Sequence, residues 1–191
     1  MFVLLIGLAL FLGVHSVRVV APDWRSATMA RIGEGRWKGG YSLVSALGLG
    51  LMIWGYGLAR QTPVDVWTPP VWGRHLGATL MLVASIAFFA NGKRGDRIAA
   101  ALRHPMLIGV ILFATAHLIA NGTAADLALF GGLLIWSLVT LVCAFGRHEP
   151  APPAGSWART GLDVAIGVAF WAAMLFGLHA WLFGVQPLPL G

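Results

Sequence analysis

The chain reads as an all-α, polytopic membrane protein, a six-transmembrane-helix bundle forming a single membrane domain over residues 1–191. Three observations predict this. Hydrophobic residues make up 58% of the chain and charged residues only 10%, where a soluble domain carries about a quarter charged. Mean hydropathy is +0.79. Several runs of about twenty apolar residues recur, each able to cross a ~30 Å hydrocarbon core. They are too long and continuous for barrel strands, the other spanning solution.

The first span is expected at 1–20. It has no basic segment ahead of its apolar run and no A-x-A-like cleavage site after it, so it reads as a retained span rather than a signal peptide. A polar loop, 21–38, leads to a second span at 39–58. That span carries Gly39, Gly40, Gly48, Gly50, Gly55 and Gly57, and small residues let membrane helices approach closely. A loop with Pro63, Pro69 and Pro70 precedes the third span, 71–90. The polar, basic stretch 91–102 leads to the fourth span, 103–121, RHPMLIGVILFATAHLIAN. Asn121-Gly122 forms a tight turn into the fifth, 125–145, and the linker EPAPPAG precedes the sixth, 162–184.

Net charge is +6, yet nucleic acid is not the expected partner. The basic residues cluster around the first, third and fifth loops, including Arg18, Arg25, Arg31, Arg36, Lys38, Lys93, Arg94, Arg97, Arg103, Arg147 and Arg159. Cytoplasmic loops collect Lys and Arg in this way, which places both termini outside. Membrane lipid is the first expected partner. Trp24, Trp37, Trp67, Trp72, Trp157 and Trp181 fall near span ends, as an aromatic belt requires.

Cys143 is the single cysteine, which excludes an intrachain disulfide and a cysteine metal cluster. No P-loop, G-x-S-x-G or H-E-x-x-H motif occurs. Asp126 and Asp163 fall at the expected span starts, where a carboxylate favourably faces a helix N-terminus.

The histidines carry the functional expectation, because an ionisable residue in a span is costly unless it is partnered. His15 lies toward the cytoplasmic end of the first span, His104 at the cytoplasmic start of the fourth, His117 near the outer end of the fourth. His75 and His179 lie near outer ends, and His148 lies in a loop, where water solvates it. Neutral imidazole ligates iron well, and helical bundles hold haem through histidines on facing helices. For His75 and His179 an interfacial, hydrogen-bonded role is the commoner one. His104 and His117 are thirteen residues apart, so they lie about 140° apart around a straight helix and roughly 20 Å apart along it. Either they serve different sites, or His104 belongs to the helix start. Pro105 suits the first turn, which places His104 at the N-cap or just before it. Around His117, Phe113, Val110 and Met106 share a helical face and form an apolar wall. Arg18, near His15, can meet a carboxylate such as a haem propionate, or a lipid phosphate.

FLGVHSVR (11–18), GEGRWKGGYSLVSALGLGLMIWGYG (33–57), WTPPVWGRHL (67–76) and RHPMLIGVILFATAHLIANG (103–122) resemble the NnrU family of bacterial membrane proteins. That resemblance implies an association with denitrification and nitric oxide metabolism. NnrU proteins are in turn similar to the plant and cyanobacterial zeta-carotene isomerase, an integral membrane haem b protein. The similarity runs through Arg103, His104, Pro105, Gly109 and His117, and through His15. It implies haem iron held by His117 and His15, with His104 also needed. The isomerase has a cysteine three residues before the second histidine, tied to a ligand switch, and Ala114 stands there in this chain. Depth alone pairs His15 with His104, or His75 with His117, better than His15 with His117.

The functional expectation is therefore a haem b protein with His117 and His15 as metal ligands, and His104, His75, Arg18 and Arg103 as further cofactor-binding candidates. Its chemistry would be redox or isomerisation on a small or lipophilic substrate, or electron transfer or gas sensing with a redox partner. The runner-up is a membrane S-adenosylmethionine-dependent methyltransferase, which shares an R-H-P-x-x-x-G-like motif. Its second motif would fall at Arg147-His148-Glu149-Pro150.

Overall fold

A computed structural model of the chain describes residues 1–90, 95–147 and 150–188. Lys93, Arg94, His148 and Glu149, and with the last two the core of the second methyltransferase-like motif, lie outside the described residues. The elements are α1 (Phe2–Val20), α2 (Pro22–Ile32), α3 (Glu34–Ala59), α4 (Val71–Phe89), α5 (Arg97–Leu102), α6 (Pro105–Ala120), α7 (Ala124–Gly146) and α8 (Trp157–Ala173), followed by a π-helical turn (Met174–Leu178) and α9 (His179–Phe183). The all-α membrane fold stands. Five helical stretches, Phe2–Val20, Glu34–Ala59, Val71–Phe89, Ala124–Gly146 and Trp157–Phe183, are long and apolar enough to cross a membrane.

The fourth expected span is shorter than the other five. α6 has 16 residues, about 24 Å at 1.5 Å per residue, against a hydrocarbon core of ~30 Å. Its start is set by Arg103, which has φ 63°, and by His104, whose φ of −127° is not helical.

Two stretches read as loops are helical. Within 21–38, α2 begins with Pro22 in its first turn, where a missing N–H costs nothing. Gly33, at φ 88°, then separates α2 from α3. α3 starts five residues before the expected position 39, with Glu34 in its first turn, where its charge suits the helix dipole. Within 91–102, α5 forms behind Asp96, whose Oδ1 accepts from the N–H groups of Ile98 (2.6 Å) and Ala99 (3.1 Å). The last span also begins early, at Trp157, because the Ser156 hydroxyl caps it by accepting from Arg159 N. Asp163 is therefore inside a helix and not at a span start.

The chain divides into two compact units: 1–66 with 123–136, and 67–122 with 137–191. In the first, α1 packs on α3 around Leu4, Leu8, Met52 and Ala59. The contact is backbone to backbone. A Cβ on Gly48 would sit 2.8 Å from Phe11 N, and one on Gly55 would sit 2.7 Å from Leu4 Cα. The other four glycines of this span face open space. In the second unit, α4 packs on α6 and α8. Gly73 and Gly77 on α4 face the carbonyls of Ile119 and Ala116, and Gly167 on α8 faces Ile86 Cα. The Trp171 indole seals the α8 contact, donating to Ala78 O at 2.9 Å.

Candidate functional site

The first unit builds its site around His15, in the next-to-last turn of α1. His15 Nδ1 lies 2.7 Å from Phe11 O, one turn back. A carbonyl only accepts, so Nδ1 carries the proton and a neutral ring bears its lone pair on Nε2. Metal-ligating histidines are commonly fixed through such a bond from the second nitrogen. Aromatic rings surround the imidazole: Phe11 at 4.2 Å, Tyr41 at 5.2 Å and Trp136 at 6.0 Å between centroids. Trp136 is held by its Nε1–H, which donates to Ser16 Oγ (3.1 Å), while Ser16 donates to Leu12 O (2.6 Å).

Beside His15 opens a cavity of about 270 Å³ between α1, α2 and α3. Tyr41 and Trp37 line it together with three cations, Arg18, Arg25 and Lys38, and one carboxylate, Glu34. Lys38 Nζ lies 2.7 Å from Glu34 Oε1, both largely exposed. Arg18 thus lies with His15, as the sequence suggested. Tyr41 and Trp136 were not anticipated. Nothing in the local sequence marks them, because Trp136 reaches His15 from 121 positions along the chain.

The second unit holds His117, His104, Arg103 and His75. His117 repeats the arrangement of His15: Nδ1 donates to Phe113 O at 2.8 Å, and the Phe113 ring stands 4.3 Å away. Phe113 meets Phe88 at 6.5 Å, edge to face. Three residues before His117, Ala114 is fully buried and presents no ligating atom. The expected apolar wall is only partly formed, since Met106 is 65% exposed. His104 is the N-cap of α6 with Pro105 at its first position, and its ring meets Phe145 edge-on at 5.1 Å. Arg103, the only non-glycine with positive φ among the described residues, forms the sharp corner between α5 and α6. Such backbone is sparsely populated and costs of order 1–3 kcal/mol. His75 is exposed on α4, on the opposite side from the Gly73–Gly77 stripe that faces α6. At the chain's other end, His179 Nδ1 donates to Val185 O (2.7 Å).

Two buried carboxylates were only half legible. Asp126 closes a capping box at the start of α7. Its Oδ2 accepts from Thr123 N (2.9 Å) and Thr123 Oγ1 (2.7 Å), and its own N–H donates to Thr123 Oγ1 (3.3 Å). Tyr56 Oη donates to Asp126 Oδ1 at 2.5 Å. Asp163 instead pairs with Arg159, at 2.6 Å and 3.2 Å.

The family model described as NnrU protein matches residues 3–187, nearly the whole chain. No curated protein and no solved structure matches it.

Proposed function

Since the chain belongs to the NnrU family, we propose that it is a haem b-binding protein of the bacterial inner membrane, with both termini periplasmic. His15 and His117 are its candidate iron ligands. One observation carries this reading: both imidazoles are fixed by the same Nδ1–H bond to the carbonyl one turn back. That bond selects the tautomer whose Nε2 ligates iron and lowers the entropy lost on ligation. The aromatic and aliphatic surroundings of each ring favour a flat apolar macrocycle.

Bound haem would supply one-electron chemistry at iron, with a potential set by the imidazoles that would hold it and by local polarity. The chain's own residues bind and orient. The carbonyls of Phe11 and Phe113 hold the two rings, Trp136 and Tyr41 flank His15, and Arg18 beside it suits a haem carboxylate. Redox or isomerase-like chemistry on a small or lipophilic substrate, tied to nitrogen oxide metabolism, is the proposed role. Ala114 lacks the thiol that a cysteine-based ligand switch requires, so that switch is not proposed.

Purified protein should show a Soret band. In His117→Ala and His15→Ala the band should weaken or shift, while His75→Ala should leave it unchanged. A colourless protein from haem-replete cells would overturn the haem reading.

A further inference from the structure

The cavity between α1, α2 and α3 has a composition that ligation of iron by His15 does not require. Its charged residues are Arg18, Arg25 and Lys38 against Glu34, three cations less one carboxylate, a formal excess of +2. Beside His15, Trp37 and Tyr41, its wall has an apolar part, from Val14 and Val17 on α1 and Met29 on α2. One helical turn separates Arg25 from Met29, so α2 presents a cation and a thioether on the same face. α2 has no buried residue and joins the end of one membrane span to the start of another. The Trp24 ring of α2 meets the Trp37 ring of α3 edge-on at 5.7 Å. Paired tryptophans at span ends mark the depth of lipid headgroups.

We infer that this cavity holds the phosphate group of an anionic phospholipid, with the lipid's glycerol and upper acyl chain against Val14, Val17 and Met29. Arg25 supplies a planar donor fork suited to phosphate oxygens, and Lys38 supplies a point charge. Lys38 can exchange Glu34 for phosphate at little cost, since an exposed ion pair is worth little. The apolar wall favours a phosphate that carries hydrocarbon over a free one. This inference goes beyond the haem reading and does not depend on it.

The test uses the full chain, purified in maltoside micelles and titrated with dihexanoyl-phosphatidylglycerol, dihexanoyl-phosphatidylcholine or inorganic phosphate. Bound lipid is counted by native mass spectrometry, and the Soret band is recorded in parallel. One phosphatidylglycerol should be retained, bound about tenfold or more tighter than phosphatidylcholine. Arg25→Gln with Lys38→Gln should weaken it about thirtyfold, roughly fivefold for each surface cation. Arg25→Lys with Lys38→Arg should bind near the wild-type level, and Lys38→Gln alone, at an exposed position, should show about the fivefold loss. Equal binding by wild type and the doubly neutralised variant would overturn the site, as would equal affinity for the two lipids. Displacement of phosphatidylglycerol by inorganic phosphate at similar concentrations would make the occupant a soluble phosphate and overturn the lipid assignment. A colourless protein that still discriminates the lipids would break the haem reading and leave this inference intact.

Discussion

Each unit buries a carboxylate within a membrane helix, Asp126 in the first turn of α7 and Asp163 in the second turn of α8, and the two are satisfied by opposite means. Asp126, 3% exposed, is held by neutral donors: a backbone N–H, a threonine hydroxyl and a tyrosine hydroxyl. Asp163, 2% exposed, is held by a guanidinium on its own helix, at i−4. Several neutral partners share the first burden, so losing one leaves others in place. A single cationic partner carries the second, so its loss strands a buried charge. The two units show how one problem, a carboxylate out of water, admits a distributed and a concentrated solution.

The largest expected effect breaks the concentrated solution. Arg159→Ala should cost about 3 kcal/mol or more, the cost of leaving a buried charge unpaired. Thermal unfolding in detergent, followed by circular dichroism, measures it. Adding Asp163→Asn should recover part of the loss, and no recovery would refute the pairing as its cause.

Next comes the helix contact within the first unit. Gly55→Leu would drive a side chain into the backbone of Val3 and Leu4, an overpacking cost of roughly 1–3 kcal/mol or more. Gly57→Leu, two positions along and in open space, should be nearly silent in the same assay. Equal effects at both positions would contradict the α1–α3 contact. The smallest effect tests the distributed solution. Thr123→Ala removes the N-cap hydroxyl of α7 and should cost about 1 kcal/mol, because Tyr56 and the backbone N–H still serve Asp126. A loss as large as that of Arg159→Ala would erase the distinction between the two carboxylates.

The two histidines invite the same comparison. His15 and His117 share one backbone lock, but His15 sits beside cations and a cavity, whereas His117 is flanked by Phe113 and the buried Ala114. Equal imidazoles in unequal electrostatic settings should respond differently to salt. If both ligate iron, raising ionic strength should perturb the contribution removed by His15→Ala more than that removed by His117→Ala.

Much of this was legible in the chain itself. Apolar runs of membrane length fixed the fold class, because hydrocarbon leaves the backbone no alternative to closed hydrogen bonding. His104-Pro105 announced a helix start, since proline restricts both itself and the residue before it. Helical phase alone separated His104 from His117. The limits of helices were harder. Polarity marked 21–38 as a loop, but Pro22, Gly33 and Glu34 are helix-terminus signals, and polar residues form helices where their ends are capped. Likewise Ser156, seven positions before Asp163, was the available sign that Asp163 lies within a helix.

What no local pattern contained was the company each side chain keeps. Only tertiary structure brought Trp136 and Tyr41 to His15, Tyr56 to Asp126, and three cations around one cavity. It also chose Gly48 and Gly55, among six similar glycines, as the points where two backbones meet. Periodicity along a helix follows from covalent geometry and is written in the sequence. Contacts between helices depend on which faces pack, and that is decided by shape and burial summed over whole elements.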